Sequence, residues 1–215
     1  MNVIISGSSS GIGKATAEKF LGEGHRVFGF DLAAPSLVHE NYRHIRQDIR
    51  EPVAAELPPA EILINSAGTL EEDAAISVNL TGTVRFTQSF LESRKLKSVL
   101  FIASASARNG AEFPWYVASK AGLVGYMKNL ALRLAPRGIT CNSISPGGVI
   151  TPANRHILER EDLYAAVLAE TLLHKWAEPE EIGELAYFLT VTNRSITGED
   201  LLIDNGEYLK SNFIW

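Results

Sequence analysis

The chain has 215 residues, 46% hydrophobic and 21% charged, with 20 Lys and Arg against 25 Asp and Glu and a formal net charge of -5. That is globular composition, long enough for one large α/β domain spanning residues 1–215, and the lack of a basic run excludes a nucleic-acid partner. The single cysteine, Cys141, excludes a disulfide framework and argues against a zinc site.

In chain order, short apolar runs alternate with longer amphipathic ones. Asn2 to Ser6 reads as a buried strand, Lys14 to Gly24 as a helix, and Arg26 to Phe30 as a second strand. Arg43 to Arg46 and Glu61 to Ile64 are the third and fourth strands, followed by a helix from about Ala75 to Ser93. Ser98 to Ile102 is the fifth strand, and Tyr116 to Leu134 a helix ended by Pro136 and Gly138. Ile139 to Ile144 and Asp200 to Ile203 are strands six and seven, and Pro179 opens a late helix with Glu180 and Glu181 near its N-terminus. Thr151 to about Leu163 is the least regular stretch. The alternation predicts an α/β fold, a doubly wound, Rossmann-like parallel sheet of about seven strands with helices on both faces. No run approaches the ~20 apolar residues that span a bilayer. Ser6 to Gly13 break the apolar start too early for a signal peptide, so a reducing cytoplasm is the expected compartment. Cys141, within a strand, reads as a small buried hydrophobe.

Gly7-Ser8-Ser9-Ser10-Gly11-Ile12-Gly13 joins the first strand to the first helix. Gly7 serves the tight turn, Gly11 the approach of backbone to a pyrophosphate, and Gly13 the packing of helix on sheet. The helix N-terminus offers N–H groups to phosphate. Asp31, directly after the second strand, is placed to accept hydrogen bonds from adenosine ribose hydroxyls and to repel a 2′-phosphate. With no Arg or Lys at positions 32 to 34, and Ser10 rather than a basic residue before Gly11, NAD is expected in preference to NADP. Tyr116 and Lys120 are four apart, on one face of their helix. A nearby ammonium stabilises a phenolate and lowers its pKa, which makes the pair a candidate proton-transfer centre.

These motifs together resemble the short-chain dehydrogenase/reductase family, in particular the single-domain branch that includes 3-oxoacyl carrier-protein reductases and many alcohol and sugar dehydrogenases. Asn65-Ser66-Ala67-Gly68 is similar to the family's Asn-Asn-Ala-Gly, and Asp48-Ile49 to its adenine-pocket pair. Asn79-Leu80-Thr81-Gly82 matches the segment with the catalytic asparagine. Pro146-Gly147-Gly148-Val149-Ile150-Thr151 matches the loop that holds the carboxamide, and Asp204-Asn205-Gly206 the C-terminal Asp-Gly-Gly. The resemblance implies hydride transfer between nicotinamide and a carbonyl or secondary alcohol. It makes Tyr116 the general acid/base, Lys120 the group that lowers its pKa and binds the nicotinamide ribose, and Ser104 the group that polarises the substrate oxygen, with Ser106 the alternative. Asn79 bends its helix so that water reaches the lysine, and Thr151 and the Val149 backbone hold the carboxamide. Two departures stand out: the interval from Ser104 to Tyr116 is about one residue short, and Thr69 to Val78 is shorter than usual.

The substrate site is expected at the carboxyl ends of the strands, walled by Ala105, Phe113, Trp115, Gly148 and the stretch Ala153 to Leu172. Arg155 and His156 read as solvated loop residues. His25, His39, His44 and His174 lack metal-ligand spacing, so no metal is expected. The apolar tail Tyr208 to Trp215 is expected to dock on its own sheet or on a neighbouring subunit of a homodimer or homotetramer. Two rival readings stay open: a non-catalytic NAD-sensing or scaffold protein, and a sugar epimerase or dehydratase.

Overall fold

A computed structural model describes residues 1–210 of the chain. Seven strands, β1 Asn2–Ser6, β2 Arg26–Asp31, β3 Tyr42–Arg46, β4 Ile62–Asn65, β5 Ser98–Ile102, β6 Thr140–Pro146 and β7 Asp200–Ile203, form one parallel sheet in the order β3-β2-β1-β4-β5-β6-β7. This is the expected doubly wound arrangement. The chain leaves β1 toward one edge and returns through β4 toward the other, so β1 and β4 flank the switch point. A ligand crevice opens there, at the carboxyl ends of the strands.

The inner strands are buried on both faces and side chains alternate between them. Ile4, Phe28, Phe30, Leu63, Val99, Phe101 and Cys141 point into one core layer. Val3, Ile5, Val27, Ile62, Ile64, Leu100 and Ile144 point into the other. Helix α1 (Gly11–Gly22) covers the second layer with Phe20 and Leu21. The first is covered by two short helices, α2 (Glu72–Ala75) and α3 (Thr83–Gln88), and, beyond the single-turn α4 (Ser106–Asn109), by the long α5 (Pro114–Leu134). Phe86 of α3 meets Phe30 edge-on at 5.0 Å, and Leu123, Met127 and Leu130 of α5 lie on the same layer. Each such fully buried side chain is worth about 1.5–3 kcal/mol. Two further short helices, α6 (Arg155–Leu158) and α7 (Glu161–Ala169), bury no residue completely. The last, α8 (Pro179–Tyr187), completes the second layer with Ile182 and Ala186. It opens on a capping box between Glu178 and Glu181, with Pro179 in its first turn.

Two stretches differ from the sequence reading. The helix expected from about Ala75 to Ser93 runs from Glu72 to Gln88, and its middle, Ile76–Gly82, is π-helical and joins α2 to α3. The Thr81 and Thr83 hydroxyls donate five residues back, to the Ile76 and Val78 carbonyls, and widen the helix around Asn79. The stretch expected to be irregular after Thr151 holds a 3-10 turn, Pro152–Asn154, then α6 and the start of α7. The connection from β3 to β4, residues 47–61, contains no helix; Val53 and Leu57 pack on the core directly from it. Cys141 is fully buried, as expected, and burial pushes its thiol pKa up. Among the described residues no helix is long and apolar enough to cross a membrane, and no cluster of His, Cys, Asp and Glu is placed to hold a metal. Of the apolar tail, positions 211–215 lie outside the described residues; Tyr208 and Leu209 are exposed.

Candidate active site

The turn from β1 into α1 is pressed against the loop after β4. Gly7 has φ +73°, and a Cβ there would lie 2.8 Å from the Ala67 Cα, so only glycine is tolerated. A Cβ on Gly13 would lie 2.0 Å from the Gly7 carbonyl oxygen. Ser6 Oγ accepts the Ser66 and Ala67 N–H groups, both at 3.2 Å, and ties the two loops together. Ser10 is the N-cap of α1 but makes no side-chain cap, which leaves N–H groups of the first turn free for an anion. Asp31 ends β2 beside this turn. Its carboxylate accepts the Ser9 N–H at 2.9 Å and the Ala33 N–H at 2.9 Å.

A cleft of about 530 Å³ runs from Asp31, Asp48 and Ile49, past Gly7, Ser10, Gly11, Ile12, Gly13, Ala67 and Gly68, to Ser104, Tyr116 and Lys120. Pro146, Gly147, Val149 and Thr151 form its opposite wall. The volume is ordinary for a small-molecule site. A glycine cradle that any Cβ would fill, an uncapped helix N-terminus and a carboxylate at the far end fit a dinucleotide. Asp48 is already engaged: its carboxylate takes the Arg50 guanidinium at 2.6 Å. Three expected residues lie behind the cleft wall. Ser9 is buried and contributes its backbone to Asp31. Asn65 spends its amide within the sheet, donating to the Leu100 carbonyl and accepting from Thr87. Asn79 is the third.

At the inner end, α5 carries Tyr116 and Lys120 one turn apart, with Lys120 Nζ 5.6 Å from the centre of the phenol ring. Lys120 is buried and donates to the Ile102 carbonyl at 2.9 Å, at the end of β5. Asn79, in the π-helical stretch, donates to the Thr69 carbonyl at 2.9 Å and accepts the Thr69 N–H at 2.8 Å. A Cβ on Gly68 would stand 3.2 Å from Asn79 Oδ1 and 3.6 Å from Lys120 Nζ, so these two side chains converge behind Gly68. Ser104 faces the cleft and its Oγ accepts the Ser106 hydroxyl at 2.8 Å; Ser106 is buried outside the cleft lining. Glu72 Oε1 accepts the Trp115 and Tyr116 N–H groups at 3.2 and 3.4 Å, an acidic cap at the positive end of α5.

The electrostatics differ from the expectation for Lys120. The Tyr116 phenol is pushed up to about 12, first by burial and then by the Glu112 carboxylate, with the Ser104 hydroxyl pulling the other way. Lys120 does not offset this. Burial pushes it down to about 8, Glu112 opposing, and its ammonium is committed to Ile102. Phenol and amine share one desolvated pocket, which disfavours both charged forms.

The carboxamide-type loop 146–151 is held from behind by Trp176. A Cβ on Gly148 would lie 2.2 Å from the indole, and Ala177 accepts the Ile150 N–H and donates to the Gly148 carbonyl. Arg155 is paired with Glu159 on exposed α6, and His156 is exposed there too. Glu72, Glu112 and Trp176 escaped the sequence reading. Gly110 and Pro114 bracket Glu112 and signal a tight loop, but not the direction of its side chain.

A dinucleotide cradle opening onto a tyrosine–lysine pair at a topological switch point defines a nicotinamide-dependent oxidoreductase. A family model described as enoyl-(acyl carrier protein) reductase matches residues 53–207. A short chain dehydrogenase of Penicillium brasilianum is 30% identical over 94% of this chain and 95% of its own. A 3-oxoacyl-[acyl-carrier-protein] reductase of Thermotoga maritima is 28% identical over 94% and 96%. The aldohexose dehydrogenase of Thermoplasma acidophilum superposes with a TM-score of 0.90 at 26% identity, over 100% of this chain and 96% of that one. The chain belongs to the short-chain dehydrogenase/reductase family. It is an NAD(P)-dependent oxidoreductase, and the non-catalytic alternative finds no support.

Proposed function

We propose that residues 1–215 act as one NAD-preferring domain that interconverts a small secondary alcohol and its ketone, with Tyr116 as the proton-transfer residue. The observation that carries this reading is the single cleft shared by Asp31, the Gly7–Gly13 turn, Ser104, Tyr116 and Lys120. Bound nicotinamide supplies the hydride donor or acceptor. The chain's own residues do the rest. Ser104 holds the substrate oxygen beside the phenol. In reduction Tyr116 donates its proton to that oxygen; in oxidation it takes the proton back. Lys120, anchored on Ile102, orients the nicotinamide ribose, and Asn79 holds the loop at Thr69 and Gly68 against the lysine. Thr151 and the Val149 backbone hold the carboxamide, the Asp48–Ile49 segment borders the adenine, and Gly7, Gly11 and Gly13 leave room for the pyrophosphate. Asp31 favours a free ribose hydroxyl over a 2′-phosphate.

We further propose a homodimer or homotetramer working in the cytoplasm. Exposed Leu132 and Phe188 supply apolar surface for such an interface, and the lone buried thiol suits a reducing compartment. Light scattering at micromolar concentration tests the oligomer, and a monomeric mass contradicts it. The reaction is tested by NADH fluorescence across a panel of ketones, secondary alcohols and aldoses with both cofactors. Turnover with NAD(H) at the higher kcat/KM is expected; better use of NADP(H) contradicts the preference, and binding without turnover across the panel contradicts the reaction.

A further inference from the structure

Asp200, at the start of β7, draws polar groups from two neighbouring elements onto one carboxylate. Its side chain is 6% exposed. Oδ1 accepts the hydroxyls of Ser143 at 2.6 Å and Ser145 at 2.7 Å, both fully buried on β6. Oδ2 takes Arg108 Nε at 2.7 Å, and a second Arg108 nitrogen donates to the Asp200 main-chain carbonyl. A planar guanidinium held at two points is fixed in direction as well as in charge. Arg108 belongs to α4, the single turn that follows Ser104. Asn109 of that turn bends back on its own loop, its Oδ1 accepting the Ala111 N–H, so Arg108 is the side chain that ties α4 to the edge strand β7.

The first residue of the same turn, buried Ser106, donates twice to Ser104 Oγ, through its hydroxyl at 2.8 Å and its backbone N–H at 3.2 Å. A hydroxyl oxygen has two lone pairs and one proton. With both lone pairs occupied by Ser106, Ser104 has only its own proton left for an oxygen in the cleft. That is the polarity that stabilises negative charge as it develops on a reacting oxygen.

We propose that Arg108 is a positioning residue of the reaction: by clamping α4 to Asp200 it holds Ser106 against Ser104 and so keeps the Ser104 hydroxyl a donor toward the substrate oxygen. This rests on the reading of the cleft as the site where Ser104 and Tyr116 act. Arg108 lies outside the cleft lining, and its effect passes through Ser106. Asp200 also holds Ser145, the neighbour of Pro146 in the opposite wall. Both serine bonds stay when Arg108 is replaced, so cofactor binding is expected to be untouched.

The test combines crystal structures with a double-mutant cycle. In Arg108→Met the 2.8 Å contact between Ser106 and Ser104 is expected to open beyond hydrogen-bond distance. Single-turnover hydride transfer is measured with NADH and the panel ketone that wild type reduces fastest. Arg108→Met is expected to slow it about three- to tenfold, the scale of one hydrogen bond, with NADH affinity unchanged. Arg108→Lys, which keeps a cation on Asp200, is expected to recover most of that loss. On a Ser104→Ala background Arg108→Met is expected to change the rate by less than about twofold, because the group it positions is gone; a merely structural arginine would cost the same factor in both backgrounds. The proposal is overturned by an unchanged contact in Arg108→Met, by an unchanged rate, by a loss of NADH affinity that accounts for the slowing, or by equal losses in the two backgrounds. If Ser104→Ala alone leaves the rate at the wild-type value, or no ketone of the panel is reduced, the reading of the site falls and the proposal with it. If Ser104→Ala is slow and Arg108→Met is not, the positioning role alone is rejected.

Discussion

Lys120 donates its side-chain proton to the main-chain carbonyl of Ile102 at 2.9 Å. The bond joins the helix that carries Tyr116 to the strand whose next turn carries Ser104, so one buried lysine ties the Tyr116 helix to the Ser104 turn. Removing it has two opposed effects on stability. The lost hydrogen bond costs about 1 kcal/mol. Burial holds the Lys120 pKa at about 8, so keeping it charged at pH 7 costs the fold on the order of 2–3 kcal/mol, a cost that fades as pH rises from about 8 toward the ordinary lysine value. Lys120→Met is therefore expected to unfold in urea at an unchanged or higher midpoint at pH 7 while losing roughly 100-fold in kcat/KM. A large loss of stability would show that the lysine is chiefly structural.

The two serines after β5 are predicted to separate cleanly. Ser104 lines the cleft, and Ser106 donates to it from behind. Ser104→Ala is expected to lower kcat about 100-fold, the scale of one lost oxyanion-type donor. Ser106→Ala, which removes only the bond that orients Ser104, is expected to cost no more than about tenfold, as for one ordinary hydrogen bond. Equal mild effects in steady-state assays would reject both assignments.

Asp31→Ala is expected to lower kcat/KM for NAD about tenfold, by loss of a hydrogen bond to a charged acceptor, and to raise that for NADP. Arg46 is the reason for the gain. It pairs in register with Asp31 and its Nε donates to the Leu32 carbonyl at 3.0 Å, so a cation already stands beside the position the carboxylate vacates. Arg46→Ala on top of Asp31→Ala should remove the gain. Unchanged NAD/NADP ratios in both variants would place the selectivity elsewhere.

The pH dependence follows from Glu112. Its charge raises the pKa of both Tyr116 and Lys120. Alcohol oxidation needs a deprotonated phenol, so its rate rises with pH; ketone reduction needs the protonated phenol, so its rate falls as pH increases. Replacing Glu112 by glutamine lowers both pKa values, and the whole oxidation profile should move to lower pH. Stopped-flow rates of NADH formation between pH 6 and pH 10, in roughly one-unit steps, check this. A shift to higher pH, or none, contradicts it.

Most of the fold was legible because its signals are local. The strands from Asn2, Arg26 and Ser98 are short, near-continuous apolar runs bounded by polar residues, and burial on both faces follows from that pattern. The glycine turn was legible because Gly7 and Gly13 are required by sterics that a Cβ count reveals. What was not legible depends on distant contacts. The π-helical stretch at Asn79 arises where threonine hydroxyls and the Thr69 backbone compete with the regular helix. The pKa of Tyr116 is decided by burial, which its spacing from Lys120 does not report. Glu112 lines the cleft from an exposed loop between α4 and α5, and Trp176 reaches Gly148 from nearly thirty residues away.

Tyr116 is proposed to move the proton. Tyr116→Phe keeps the ring and removes only the hydroxyl, so single-turnover hydride transfer, measured alongside NADH binding, tests it most directly. The rate is expected to fall by ~10²–10⁴-fold with NADH affinity essentially unchanged. A variant that binds NADH normally and retains most of the wild-type rate would contradict it.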